Sequence, residues 1–191
     1  MDSKSFMKLV AEMRTAQKRF WTGDRSRDDL TAALSLEKSV DDEIKRVAVA
    51  LRARPERQPA DDNPDWQFFC KVTCLRDKSK KYFAEKKRLG RLNPTQQRLG
   101  MENLRPALED VQARERDIDR IIRRTDDDEK RAQGITIIWQ VIRHRTGMKE
   151  PQVVLTTRDE KYANIECYGM NEKSRDGCRY YVKRIEQKPN T

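Results

Sequence analysis

One histidine, His144, and four cysteines limit the chemistry this 191-residue chain could perform. A lone imidazole excludes a two-histidine metal site and any acid–base scheme built on a histidine pair. His144 stands between Arg143 and Arg145 in "IRHRTG", a setting for a surface or phosphate-facing side chain rather than a general base. Cys70 and Cys74 are one helical turn apart, and Cys167 and Cys178 flank an expected hairpin turn. Neither spacing is that of a metal knuckle, so free thiols in a reducing compartment are expected. The run Asp126-Asp127-Asp128-Glu129 reads as solvated or helix-capping acids rather than a Mg²⁺ site. The phosphate-loop, zinc-protease, dinucleotide and nucleophile-elbow patterns are all missing. Pro64-Asp65 has the opening of a nuclease motif, but no Glu-x-Lys partner lies on a following strand. The expectation is a non-enzymatic protein without cofactor or metal.

Cations give the stronger signal. The formal net charge is +10. It is spread along the chain as +3 over 1–60, +5 over 61–124 and +2 over 125–191. The densest stretch, "KSKKYFAEKKRLGR", places Lys78, Lys80, Lys81, Lys86, Lys87, Arg88 and Arg91 around Tyr82 and Phe83. Cations at that density hold phosphates, and exposed aromatics stack on bases. Cations at a helix C-terminus also complement the macrodipole, and Tyr82 aligns with a core position. A second cluster is Arg143, His144, Arg145 and Lys149; a third is Arg179, Lys183 and Arg184 on the last expected strand. There, by period two, Arg179, Tyr181 and Lys183 share one face, with Tyr180, Val182 and Arg184 on the other. A small antiparallel sheet carrying basic residues fits a DNA groove. A positive balance favours nucleic acid, acidic proteins or anionic membranes; the partners expected are DNA or RNA, or an acidic protein, with no membrane partner. The sequence has no apolar run of transmembrane length and no signal-peptide core near its start, so a soluble, cytoplasmic protein is expected.

The elements that must position these groups are legible in apolar spacing. Phe6, Val10, Met13 and Phe20 recur at helical steps. After "TGD", Ser26 with Asp29 opens a second helix, followed by Ala33, Leu36, Val40, Ile44, Val47 and Leu51 at steps of three or four. Helices are expected over 4–21 and 27–53, forming a hairpin (1–53). "RPERQPADDNP" breaks the pattern as a linker (54–64), and Asn63-Pro64 restarts a helix. Phe68, Val72, Leu75 and Tyr82 share its face, "LGRLNP" turns the chain, and Met101 to Ile122 continue in a long helix that Pro106 should kink or divide. This second hairpin occupies 65–124.

The two hairpins read as copies of one unit, with convergence of two amphipathic hairpins as the other reading. "EMRTAQKRFW" matches "CLRDKSKKYF" at an offset of 62, and Arg27, Leu30, Glu37, Val40, Asp41 and Ile44 match Arg105, Leu108, Glu115, Ile118, Asp119 and Ile122 at an offset of 78. The difference of 16 residues is a longer connection in the second copy. Paired, the hairpins make a four-helix bundle.

Residues 125–134 read as a charged linker and 135–187 as a small β-rich domain. "ITIIWQVI" has the β-branched content of a buried strand, although a helix continuing from the acidic run is the other reading. "QVVLTTRD", "YANIECYG" and "CRYYVKRIEQ" read as strands, with "NEKSRDG" as a hairpin loop. The expected fold is α+β: a duplicated helical hairpin followed by a small antiparallel β-meander, in which the sequence also allows one short helix. The pattern "LVAEMRTAQKRFW…LEKSVDDEIKR" resembles that of small uncharacterised helical-hairpin proteins of gut Bacteroidetes and their mobile elements. That resemblance covers the first quarter of the chain and implies a phage or mobile-element origin without implying an activity. The functional expectation is a basic binding protein contacting nucleic acid or a nucleic-acid-bound machine, with a protein-docking or inhibitor module as the alternative.

Overall fold

The computed structural model describes residues 2–145, 150–174 and 178–188. The fold is α+β, and the chain forms two compact units, Met1–Arg123 and Arg124–Thr191.

The first unit holds helices α1 (Ser3–Thr22), α2 (Arg27–Ala53), α3 (Pro64–Leu89) and most of α4 (Pro94–Ala132). Each of the first three starts on a side-chain cap. Asp2 accepts from the Ser5 amide, Ser26 from the Asp29 amide and Asn63 from the Trp66 amide. These caps satisfy amides that the helix itself leaves open. Pro106 lies within α4 and does not divide it. The expected linker at 125–134 is also helical through Ala132, its Lys130–Asp126 and Arg131–Asp128 pairs lying at helical spacing. At Gly134 the backbone turns with φ of 76°, a conformation that favours glycine, and enters the sheet.

The repeat is visible in burial. Phe6 and Phe68, Val10 and Val72, Met13 and Leu75, and Val40 and Ile118 are all buried in one apolar cluster. Phe6 meets Phe68 edge-on with ring centroids 6.2 Å apart, so the equivalent starts of α1 and α3 lie at one level. The pairs Lys71–Asp117 and Lys78–Asp110 run α4 antiparallel to α3. The turns α1–α2 and α3–α4 therefore share one end of the bundle.

Ion pairs repeat as well. Arg14 of α1 donates to Asp119 at 3.0 Å and to Glu115 at 2.7 Å, both on α4. Arg76 of α3 donates to Asp41 at 2.9 Å and reaches Glu37 at 3.0 Å, both on α2. Lys18 adds to Asp119 and Lys80 to Asp41. Residues related by the offsets of 62 and 78 thus exchange partners reciprocally. One bridge breaks the symmetry: Gln17 accepts from Arg14 at 2.6 Å and donates to Glu37 at 2.7 Å. Its counterpart is the short, buried Ser79.

These networks make the bundle acid-sensitive. Burial alone would raise the Asp41 and Asp119 carboxyls; hydrogen bonds and charge from Arg76 and Lys80, and from Arg14 and Lys18, outweigh it and hold both below their ordinary value. A depressed folded pKa contributes stability that is present above the unfolded value of about 3.9 and lost as pH falls through the folded value. Melting temperature should hold steady from neutrality to about pH 5 and drop below about pH 4. The double variant Asp41→Asn, Asp119→Asn should start less stable and show a shallower acid limb. An acid limb identical to the parent's would mean that neither carboxylate is depressed.

The second unit joins the C-terminal turns of α4 to β1 (Thr136–Arg145), β2 (Gln152–Thr157), α5 (Glu160–Lys173) and β3 (Cys178–Gln187). "ITIIWQVI" is strand, as its β-branched content favours. The sheet is antiparallel with order β2-β1-β3. It departs from a meander at the last connection, because "YANIECYG", expected as a strand, is helix. Asp159 caps that helix through the Tyr162 amide, and Ala163, Cys167 and Met170, at steps of four and three, pack on Ile137, Trp139 and Val141. Capping and this apolar face outweigh the β-propensity of Tyr162 and Ile165. "NEKSRDG" accordingly connects a helix to a strand, with 175–177 outside the described residues. The Asn171 side chain donates to the Tyr180 carbonyl and accepts from its amide, both at 2.9 Å, standing in for a strand partner. Cys167 and Cys178 are both buried.

Candidate nucleic-acid interface

The longer connection of the second hairpin becomes a tip. By the repeat, Thr22 corresponds to Ala84 and Arg27 to Arg105, so four residues (23–26) in one copy answer to twenty (85–104) in the other. Helix α3 runs on to Leu89, five residues beyond the position equivalent to the end of α1. At 1.5 Å per residue the extension projects about 7–8 Å. It is closed by Leu89, buried against α4, where a Cβ at Gly100 would stand 2.3 Å from the Leu89 side chain. Glycine at position 100 permits that approach.

The tip carries five cations, Lys86, Lys87, Arg88, Arg91 and Arg98, against two carboxylates, Glu85 and Glu102. Arg88 pairs with Glu85 at 2.5 Å and Arg98 with Glu102 at 3.7 Å. Lys86 lies 6.0 Å from the centre of the Tyr82 ring, within cation–π range. Lys87 and Arg91 are exposed and, like Lys81 just below the tip, have no ion-pair partner among the described residues. The expected basic run is therefore split. Lys78 and Lys80 are spent on Asp110 and Asp41 and hold helices together. Lys81, Lys86, Lys87 and Arg91 remain available to a ligand. The split was not readable from the sequence, because the neutralising carboxylates stand 30 or more positions away.

Tyr82 is buried while Phe83 is half exposed, and the same holds in outline for Phe20 and Trp21 in the first copy. Each couple makes a T-shaped contact, at 5.2 Å and 5.1 Å. The tip's base thus offers one exposed ring, Phe83.

No family model, curated protein or solved structure matches this chain.

The second expected cluster does not converge. His144 alternates with Arg143 and Arg145, so it faces the opposite side of β1. Arg143 donates through Nε to the Cys178 sulfur at 3.1 Å, on the α5 side of the sheet. Lys149 lies outside the described residues. Arg184 of the third cluster pairs with Asp127 and Glu186. Among the described residues no group of three or more His, Cys, Asp or Glu is placed to hold a metal ion, and no helix is long and apolar enough to cross a membrane.

Proposed function

We propose that this protein binds nucleic acid without catalysing a reaction, and that the basic tip of the second hairpin makes the phosphate contacts. The observation that carries this reading is the contrast within the bundle: interhelical cations are paired, whereas the cations concentrated at the projecting connection include Lys86, Lys87 and Arg91 without a carboxylate. Such a projection reaches phosphates without desolvating an ion pair first. Exposed Leu92 and Leu99 on the same connection favour a second reading, an acidic protein surface with an apolar centre.

The test is the variant Lys81, Lys86, Lys87 and Arg91→Gln, which spares Lys78, Lys80 and Arg88 and so leaves their ion pairs intact. Gln keeps helix propensity close to that of Lys and Arg. Duplex DNA binding by the parent should weaken with salt, and the variant should bind at least tenfold more weakly at low salt. Its salt slope should be shallower by about 0.9 per lost phosphate contact. A parent that binds neither DNA nor RNA at low salt defeats the proposal in favour of the protein partner.

A further inference from the structure

The sheet has two dissimilar faces. Cross-strand partners share a face, so His144 lies beside Arg179, Ile142 beside Tyr181 and Gln140 beside Lys183, with Thr156 opposite Gln140 and Val153 opposite Ile142 on the other edge. Helix α5 covers the alternate residues Ile137, Trp139 and Val141. On the face turned away from α5, an apolar row crosses the sheet, with Val153 and Tyr181 exposed on either side of the buried Ile142. It separates a row with His144 and Arg179 from a row with Thr156, Gln140 and Lys183. Tyr181 is 43% exposed, and Arg179, Lys183 and His144 are exposed. Neither Arg179 nor Lys183 has an ion-pair partner among the described residues, and none of these cross-strand positions is a carboxylate.

We infer that this face is a binding site for single-stranded nucleic acid, in which a base stacks on Tyr181 while Arg179 and Lys183 hold the phosphates on either side. The charge calls for an anionic partner, and the exposed ring between two cations calls for that partner to bring a flat apolar group to the β3 edge of the face. Arg179 and Lys183 each stand one two-residue step, about 7 Å, from Tyr181. Phosphates alternating with unpaired bases meet that pattern. A duplex does not: its bases lie at the floor of a major groove about 12 Å wide, which admits a two-stranded ribbon, and three strands with their side chains are broader. Gln140 and Thr156 add neutral hydrogen-bonding groups next to the ring. The site is independent of the helical tip and stands or falls separately from it.

The experiment uses the full chain and four probes: a short oligothymidylate, an abasic strand of equal length, the corresponding duplex, and poly-glutamate. Tyr181→Leu keeps an apolar side chain on the strand but removes the stacking plane, and Tyr181→Phe keeps the plane. The expected result is that Tyr181→Leu weakens oligothymidylate binding about tenfold or more, that Tyr181→Phe binds like the parent, and that neither change alters duplex binding. Arg179→Gln with Lys183→Gln should weaken oligothymidylate and abasic strand alike. The four-residue tip variant should retain the dependence on Tyr181. Equal parent affinity for oligothymidylate and the abasic strand would overturn the inference, as would poly-glutamate binding as tightly as oligothymidylate. If Tyr181→Leu fails to fold, wild-type binding by Tyr181→Phe together with a preference for oligothymidylate over the abasic strand sustains it, and loss of either removes it.

Discussion

Aspartate at position 118 is expected to abolish the cooperative unfolding transition of the helical unit. Ile118 is 1% exposed and sits among Val10, Met13, Val40 and Val72 in the central cluster. The substitution removes a buried side chain whose apolar transfer contributes about 2–3 kcal/mol. It also buries a carboxyl group whose pKa must rise by roughly 3 units or more to neutralise it, a further cost of about 4 kcal/mol. Together these approach the whole stability of a domain, about 5–15 kcal/mol. Val40→Asp should behave alike, because the repeat places Val40 at the equivalent point and burial there is complete. Two controls separate burial from composition. Ile118→Val should cost only about 1 kcal/mol. Val49→Asp, on the same helix as Val40 but 64% exposed, should stay within about 0.5 kcal/mol. Thermal melts followed by circular dichroism measure all four. A folded Ile118→Asp variant with unchanged melting temperature would place position 118 at the surface and dissolve the duplicated bundle.

The second large effect concerns the reciprocal arginines. Arg76→Met should cost about 3 kcal/mol, because it strips Glu37 and Asp41 of a two-pronged partner inside the bundle. Arg14→Met should cost about as much for the same reason at Glu115 and Asp119. The informative measurement is the double variant. If the two networks were independent, the losses would add. Gln17 connects them, since Arg14 holds the amide that donates to Glu37 and Glu37 in turn pairs with Arg76. The double variant should therefore fall short of the sum by at least about 0.5 kcal/mol, and additivity should return in a Gln17→Ala background. Should the double methionine variant be too unstable to melt cleanly, Arg14→Lys and Arg76→Lys complete the same cycle at smaller cost, since an ammonium keeps the charge but not the fork. Strict additivity in the parent background would show that the Gln17 bridge transmits nothing.

The arginine exchange also explains why the repeat is so clear in this molecule. A helical hairpin alone buries one stripe, and pairing two copies across a pseudo-twofold places every apolar position opposite an equivalent one. Arg14 with Arg76, Glu115 with Glu37 and Asp119 with Asp41 set the register by the same rule, now with charge rather than volume. Ion pairs of this burial define which helix faces fit together more than they add net stability. An extra 16 residues in one copy leave this register undisturbed because they fall wholly in the connection, where the bundle ends.

Local signals carried the helical unit. Phe6, Val10 and Met13, and Phe68, Val72 and Leu75, recur at helical steps, and Ser26 and Asn63 mark helix starts through bonds no more than three residues long. Periodicity and capping are local properties, so four helices, their order and their repeated pattern are legible without the fold. A run of β-branched residues favoured strand over 136–145 but left a helix open, and pairing with β2 and β3 decided it. Helix α5 was written in the sequence too, in Asp159-Glu160 and in the spacing of Ala163, Cys167 and Met170, but Tyr162, Ile165 and Tyr168 masked it, and only the sheet beneath decided which set of side chains was buried. Partner choice is different in kind. Whether Lys80 neutralises Asp41 or waits for a phosphate depends on a carboxylate 39 positions away, and whether His144 lies beside Arg179 depends on the register of β1 against β3. Both are decided by distances in space between residues distant in the chain, and Coulomb energy falls with those distances, not with separation along the sequence.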